Sequence, residues 1–240
     1  MMSQPFTPQS PQSYEQLSAS QNIHVSAQSS GSFYAKVMMA FGLAILTSAA
    51  GTYTGFQFLG KIFIENPLLM YIFFVIELVL VFTARMWSTK HPVNYLLFVV
   101  FAFLSGITLV PLLGMFLIEF GGFEIIIKAF LATTLVFTAT ALIGWTTNRS
   151  LTGLRGFLTI SLLGMIIVGI MGIFLPWSNN FEMIYAGFGV IVFGAYTMYD
   201  IQRLKTFESN RFIDAALELY LDLFNIFVFV LRLIGGVSRD

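Results

Sequence analysis

Residues 213–236, IDAALELYLDLFNIFVFVLRLIGG, decide how this chain folds. The stretch is long and apolar enough to cross a bilayer as a helix, yet Asp214, Glu218 and Asp222 recur at i, i+4 and i+8, with Asn225 three residues further on. On a helix these four share one face, while the other faces carry Leu, Phe, Ile and Val. At a rise of about 1.5 Å per residue, Asp222 lies roughly 12 Å deeper than Asp214. Ionisable side chains facing lipid are costly, so the pattern predicts a helix that is central in a bundle or lines a cavity. Asp214 also complements the dipole of a first turn.

Composition agrees. Hydrophobic residues make up 57% of 240, charged residues 10%, and the mean hydropathy is +0.84. These values depart far from a soluble domain and identify an integral membrane protein. Twelve basic and twelve acidic residues cancel, so nothing in the charge points to a nucleic acid. Without cysteine there is no disulfide, thiolate nucleophile or cysteine-held metal centre.

Residues 1–32 are rich in Ser, Gln and Pro, with one Glu and no Lys or Arg, a composition expected to be a disordered tail. It has no basic start followed by an apolar core, so it does not read as a signal peptide, and insertion is expected through the first helix. The remainder, 33–240, reads as one seven-helix transmembrane domain with spans near 35–59, 67–86, 93–118, 125–147, 157–175, 183–204 and 213–236. Asn66-Pro67, His91-Pro92, Gly121-Gly122, Asn148-Arg149-Ser150 and Pro176-Trp177-Ser178 punctuate them. Small residues (Gly51 and Gly55, Ser105-Gly106, Gly164, Gly169 and Gly172, Gly187, Gly189 and Gly194) suit close helix approach, and Pro111 suits a bend.

Basic residues gather in alternate loops: Arg85 and Lys90, then Arg149 and Arg155, then Arg203, Lys205 and Arg211. The other loops hold mainly acids. This alternation predicts a cytoplasmic N-terminus and an external C-terminus in the cell's inner (plasma) membrane.

Asp200, in FGAYTMYDIQ, ends the sixth span. It can pair with Arg203 as an ordinary i,i+3 ion pair, but the sixth helix descends as the seventh rises, so Asp200 and Asp222 reach similar depths on adjoining helices. Two close carboxylates repel and titrate as a pair. Such a pair can share a proton when closed and release it to admit a hard divalent cation such as Ca²⁺, whose ligands are oxygens.

AYTMYDIQRLK (195–205), DAALELYLDLFNIFVFVLRLIGG (214–236), FAFLSGITLVPLL (101–113) and IELVLVF (76–82) together resemble the Bax inhibitor-1-like, or transmembrane BAX inhibitor motif, family in its bacterial branch, in order over residues 33–236. The resemblance implies an all-α membrane fold whose last helix is wrapped by the other six. It further implies a pH-sensitive calcium leak governed by an aspartate pair, Asp200 and Asp222, serving as ion site and proton sensor, with Ca²⁺ and H⁺ as the ions handled and no permanently bound cofactor. Glu77 matches an acidic position of the family, and Glu77, Glu218, Asp214 and Asn225 are candidate pathway residues. Where bacterial members carry an arginine late in the second helix this chain has Ser88, with Arg85 and Lys90 on either side as candidate gating partners. Arg232 pairs with an acid or snorkels outward.

An enzyme is not expected. An intramembrane aspartyl protease needs Gly-x-Gly-Asp at the second aspartate and a later Pro-Ala-Leu, but the chain reads Leu-Tyr-Leu-Asp there and has no Pro after it. A retinal protein needs a lysine in the last helix, and 214–240 contains none. His24 and His91 are too separated to seed a metalloenzyme. The alternative reading is a non-transporting stress-protection protein that modulates a membrane-bound protease, its tail contacting the partner.

Overall fold

A backbone surrounded by hydrocarbon must satisfy its own hydrogen bonds, and helices do so within one segment. The computed structural model, which describes residues 11–239 except Pro176 (side chains from 31 onward, save Ile64, Pro67, Ile173 and Arg239), is helical. In chain order the helices are α1 (Pro11–Thr54), α2 (Gly60–Glu65), α3 (Pro67–Phe82), α4 (Ala84–Trp87), α5 (Val93–Thr108), α6 (Val110–Phe120), α7 (Glu124–Thr146), α8 (Leu154–Phe174), α9 (Asn179–Arg203) and α10 (Phe212–Arg239). No strand occurs among the described residues.

Among the described residues, five helical units are long and apolar enough to cross a membrane: Gly31–Phe63, Val93–Phe120, Glu124–Thr146, Leu154–Gly172 and Asn179–Thr206. A shorter apolar helix covers Leu68–Phe82. Their outward surfaces are greasy, with Phe82, Leu135, Ile160 and Phe174 each more than 70% exposed. In lipid, such faces need no further cover.

Three of the expected spans are irregular. The first contains a π-helical turn at Gly55–Leu59 joining α1 to α2. The second pauses at Thr83, whose hydroxyl turns back to the Val79 carbonyl at 2.6 Å. The third breaks at Leu109, just before Pro111 at the start of α6, where a missing N–H and a ring clash forbid a continuous helix. The expected bend at Pro111 is thus a break between two helices. α1 also runs back through 11–32, part of the stretch 1–32 expected to be a disordered tail. Residues 1–10 lie outside the described residues.

α10 is the hub. It packs against α9, α7, α1 and α5, while α3 packs mainly on α5 and α8 on α9. Its buried hydrophobic residues belong to two apolar clusters. One, toward its start, includes Val37, Trp87, Phe98, Ile201, Ile213 and Tyr220. The other, toward its end, includes Phe116, Ala129, Phe193, Ile226 and Leu231. Asp222 falls in sequence between Tyr220 and Ile226, at the seam of the two.

Close backbone approach holds α1 to α5. A Cβ at Gly51 would overlap the Phe103 carbonyl oxygen, and one at Gly106 would overlap that of Ser48. Thr52 Oγ1 sits 3.0 Å from both the Ser48 and Gly106 carbonyls and ties the crossing. Gly189 likewise makes room for the Phe229 ring. Gly164 and Gly187, expected to do the same, face open space.

Candidate functional site

The site is built where α9 ends and α10 begins. Gln202 fastens this corner: its side chain accepts from Leu151 N at 2.8 Å and donates to the Arg149 carbonyl at 2.9 Å. Lys205 donates to the Trp145 carbonyl at 2.6 Å, its ammonium 5.3 Å from the indole centre. The α7–α8 loop is therefore pinned to the end of α9, fixing the frame around Asp200.

Asp200 and Asp222 are both buried, 6% and 3% exposed. They occupy α9 and α10, which pack side by side. Thr197, one turn before Asp200 on α9, donates its hydroxyl to the Phe193 carbonyl at 2.9 Å. Asp222 Oδ2 has no hydrogen-bond partner, and neither has the buried Glu218 Oε2. Unmatched acceptors of this kind are costly away from water.

One cation is already present. Arg203 places one guanidinium nitrogen 2.9 Å from Glu218 Oε1 and another 3.7 Å from Asp200 Oδ1, crossing from α9 to α10. Its guanidinium carbon lies 4.5 Å from the centre of the Phe207 ring. Planar, forked and stacked, an arginine suits this position as a lysine would not. Arg85 and Lys90, the expected partners, are exposed, and among the described residues neither forms an ion pair; Ser88 between them is fully buried with its hydroxyl unsatisfied.

The other candidates divide. Asp214 is buried but satisfied by Arg211 Nε at 2.8 Å. Asn225 is turned onto its own helix, donating to the Leu221 carbonyl at 2.7 Å. Glu77 is buried on α3, away from this corner, with Thr108 Oγ1 of α5 donating at 2.9 Å. Beside Thr108, Ser105 meets the Tyr220 hydroxyl at 2.5 Å on the opposite side of α10 from Asp222. The sequence reading missed this second polar group, and only the in-segment spacing of Ser105 and Thr108 on one face hinted at it. It also weighed Arg203 for Asp200 alone and missed its stronger bond to Glu218.

Among the described residues no three His, Asp or Glu side chains gather closely enough to hold a metal ion. Two carboxylates alone fall short of the six to eight oxygens that Ca²⁺ collects.

Comparison with known proteins places this geometry in a lineage. The model of the family "Inhibitor of apoptosis-promoting Bax1" matches residues 31–239. A Helicobacter pylori protein of uncharacterized function is 34% identical over 171 residues, covering 71% of this chain and 74% of its own. Bax inhibitor 1 of Schizosaccharomyces pombe is 31% identical over 176 residues, 73% of this chain and 64% of that protein. A Campylobacter jejuni protein is 29% identical over 206 residues, spanning 86% and 89% of the two chains. The match takes in every described helix from the later part of α1 through the acid-bearing last one, and the chain belongs to the Bax inhibitor-1-like family of membrane proteins.

Proposed function

We propose that this protein is a proton-sensitive, calcium-permeable leak of the inner (plasma) membrane, built from seven spans with α10 central, in which Asp200 and Asp222 form the ion site. The observation that carries the reading is the pair of buried carboxylates on adjoining helices, one with an oxygen left unsatisfied. Arg203 is the closing group in this reading: by neutralising Asp200 and Glu218 it competes with an incoming cation for the same oxygens. Protons compete too. A proton and Ca²⁺ cannot share one carboxylate oxygen, so acidification weakens Ca²⁺ occupancy by mass action and alkalinisation strengthens it. Glu77, with Thr108, serves as a further stop along the path.

The test is Ca²⁺ entry into liposomes holding the purified protein, followed from about pH 6 to 8, for wild type and for Asp200→Asn/Asp222→Asn. A flux that depends on pH in the wild type and loses that dependence in the double variant supports the reading. Absence of wild-type flux at every pH sinks it.

That outcome would favour the second reading, a non-transporting partner of a membrane-bound protease, for which the polar stretch 1–32 is the available handle. Deleting that stretch separates the two: a leak survives the deletion, whereas modulation of a partner through the stretch is lost.

A further inference from the structure

The connection from α9 to α10 is two 3₁₀ turns, Leu204–Thr206 and Ser209–Arg211, joined by the extended residues Phe207 and Glu208. Both arginines that reach the buried acids stand beside the Phe207 ring: the guanidinium carbon of Arg203 lies 4.5 Å from the ring centre and that of Arg211 5.4 Å. Through them one ring is linked to three carboxylates, Glu218 and Asp200 by Arg203 and Asp214 by Arg211. We propose that Phe207 is a positioning residue for the acid site: its ring holds the two guanidiniums on their carboxylates, and its seat on Phe33 makes the place of α1 part of how they are held.

Two cations gathered around one ring repel, and each ends a long side chain that gains rotamer freedom by swinging into water. Water is within reach, since the two side chains are 32% and 35% exposed. What holds them must act on both. An aromatic face does so, because its quadrupole attracts a cation without occupying the N–H groups that the carboxylates take. A leucine of similar bulk fills the space and supplies none of this attraction.

The ring itself has a fixed seat. It stacks on the buried Phe33 of α1, with centres 6.3 Å apart and planes 21° from parallel. Phe33 meets Tyr34 at 5.7 Å and Tyr34 meets Trp145 of α7 at 5.4 Å, the indole on which Lys205 already lies. The connection is thus fastened at two points, to α7 by Lys205 and to α1 by Phe207, with one arginine before the fastened stretch and one after it. For its effect on ions this inference rests on the proposed leak, in which Arg203 closes the site; the seating of the arginines is measurable without any flux.

The experiment is modification of the purified full chain in nanodiscs by phenylglyoxal, an arginine reagent, with the rate at each arginine followed by peptide mass spectrometry for wild type, Phe207→Ala, Phe207→Leu and Phe207→Tyr. Arg203 and Arg211 should both react about fivefold faster in Phe207→Ala and Phe207→Leu, the loss of one partly exposed cation–π contact, and at the wild-type rate in Phe207→Tyr, which keeps the ring. Arg85 and Arg155, exposed and without a ring contact among the described residues, are the internal controls. Wild-type rates in Phe207→Leu overturn the proposal, because apolar bulk is then enough; so does a rise at only one of the two arginines. Phe33→Leu should raise both rates by a smaller factor, and unchanged rates there overturn the part given to α1. Ca²⁺ entry into liposomes separates this inference from the leak it extends: Phe207→Leu should raise entry about fivefold as Arg203 lets go of Glu218 and Asp200, with Phe207→Tyr at the wild-type level. Faster modification with no Ca²⁺ entry in any variant upholds the seating and sinks the leak, whereas unchanged modification overturns the seating whatever the flux. Should Phe207→Ala fail to fold, the contrast of Phe207→Leu with Phe207→Tyr decides alone.

Discussion

Asp222 is where burial, charge and unmet hydrogen bonding coincide, and substitutions there separate packing from chemistry. Asn keeps the volume and one carbonyl oxygen but cannot be ionised. Asp222→Asn should therefore leave the thermal-unfolding midpoint within a few degrees of wild type, while lowering Ca²⁺ affinity at least about tenfold and removing its pH dependence. A folded variant with an unchanged pH response would clear Asp222 of the role. Arg203 gives the opposite pattern. Arg203→Ala leaves Asp200 and Glu218 facing each other without a counter-charge, at a cost of about 1–3 kcal/mol given that the guanidinium is about one-third exposed. Stability should fall as Ca²⁺ occupancy rises, and added Ca²⁺ should recover part of the lost midpoint through mass action. If Ca²⁺ gives no recovery, the arginine and the cation do not share a site. Tyr220→Phe is the control on the other side of α10: it removes one partner of the Ser105 bond, costs about 1 kcal/mol and should leave the response to Ca²⁺ and pH unchanged.

Elements meet through backbone as much as through side chains. At the α1–α5 crossing, a Cβ on Gly106 has nowhere to go, because the nearest atoms are the carbonyl of Ser48 and the amide of Thr52 rather than a side chain that could swing aside. Gly106→Ala should cost about 1–3 kcal/mol by forcing the helices apart, read as a lowered unfolding midpoint, whereas Gly164→Ala, which meets open space, should cost nothing measurable or add helix propensity. Equal effects would contradict the crossing. These elements were only partly legible in the sequence. Apolar runs and the Gly, Pro and Asn between them located the spans, and Pro111 announced the break at Leu109. The π-turn at Gly55–Leu59 has no Pro or Asn to announce it; at its first residue a Cβ would come within 2.6 Å of Val110 Cγ2. The acid stripe on α10 was visible because helical spacing lies within one segment. Which cation answers it was not: Arg203 and Glu218 meet only because α9 and α10 pack side by side, and Ser105 finds Tyr220 across 115 residues. Spacing reports faces, and packing decides which faces touch.

For the whole molecule, the question is how many helices cross. Five units are apolar enough without qualification; the proposed count adds α10, whose 28 residues reach about 42 Å, and α3 with α4, which together reach about 30 Å. The two counts make different topologies. With seven spans, the loops carrying Arg85 and Lys90, Arg149 and Arg155, and Arg203, Lys205 and Arg211 lie on one side together with the N-terminus, and the C-terminus lies on the other. With five, those basic loops still share a side, but the C-terminus joins them and the N-terminus does not. Because the chain has no cysteine, single cysteines report sidedness without background. Thr89→Cys, Ser150→Cys and Ser209→Cys should react with an impermeant maleimide only from the cytoplasmic side, and Gly122→Cys and Ser238→Cys only from outside; each residue except Gly122 is exposed, and Gly122 sits in the short α6–α7 turn. The pair that decides is Ser209 and Ser238, one at each end of α10. Labelling from opposite faces makes α10 a crossing helix and puts Asp222 within the bilayer, where an unsatisfied carboxylate oxygen implies a path for ions; labelling from the same face removes α10 from the membrane and the proposed leak with it.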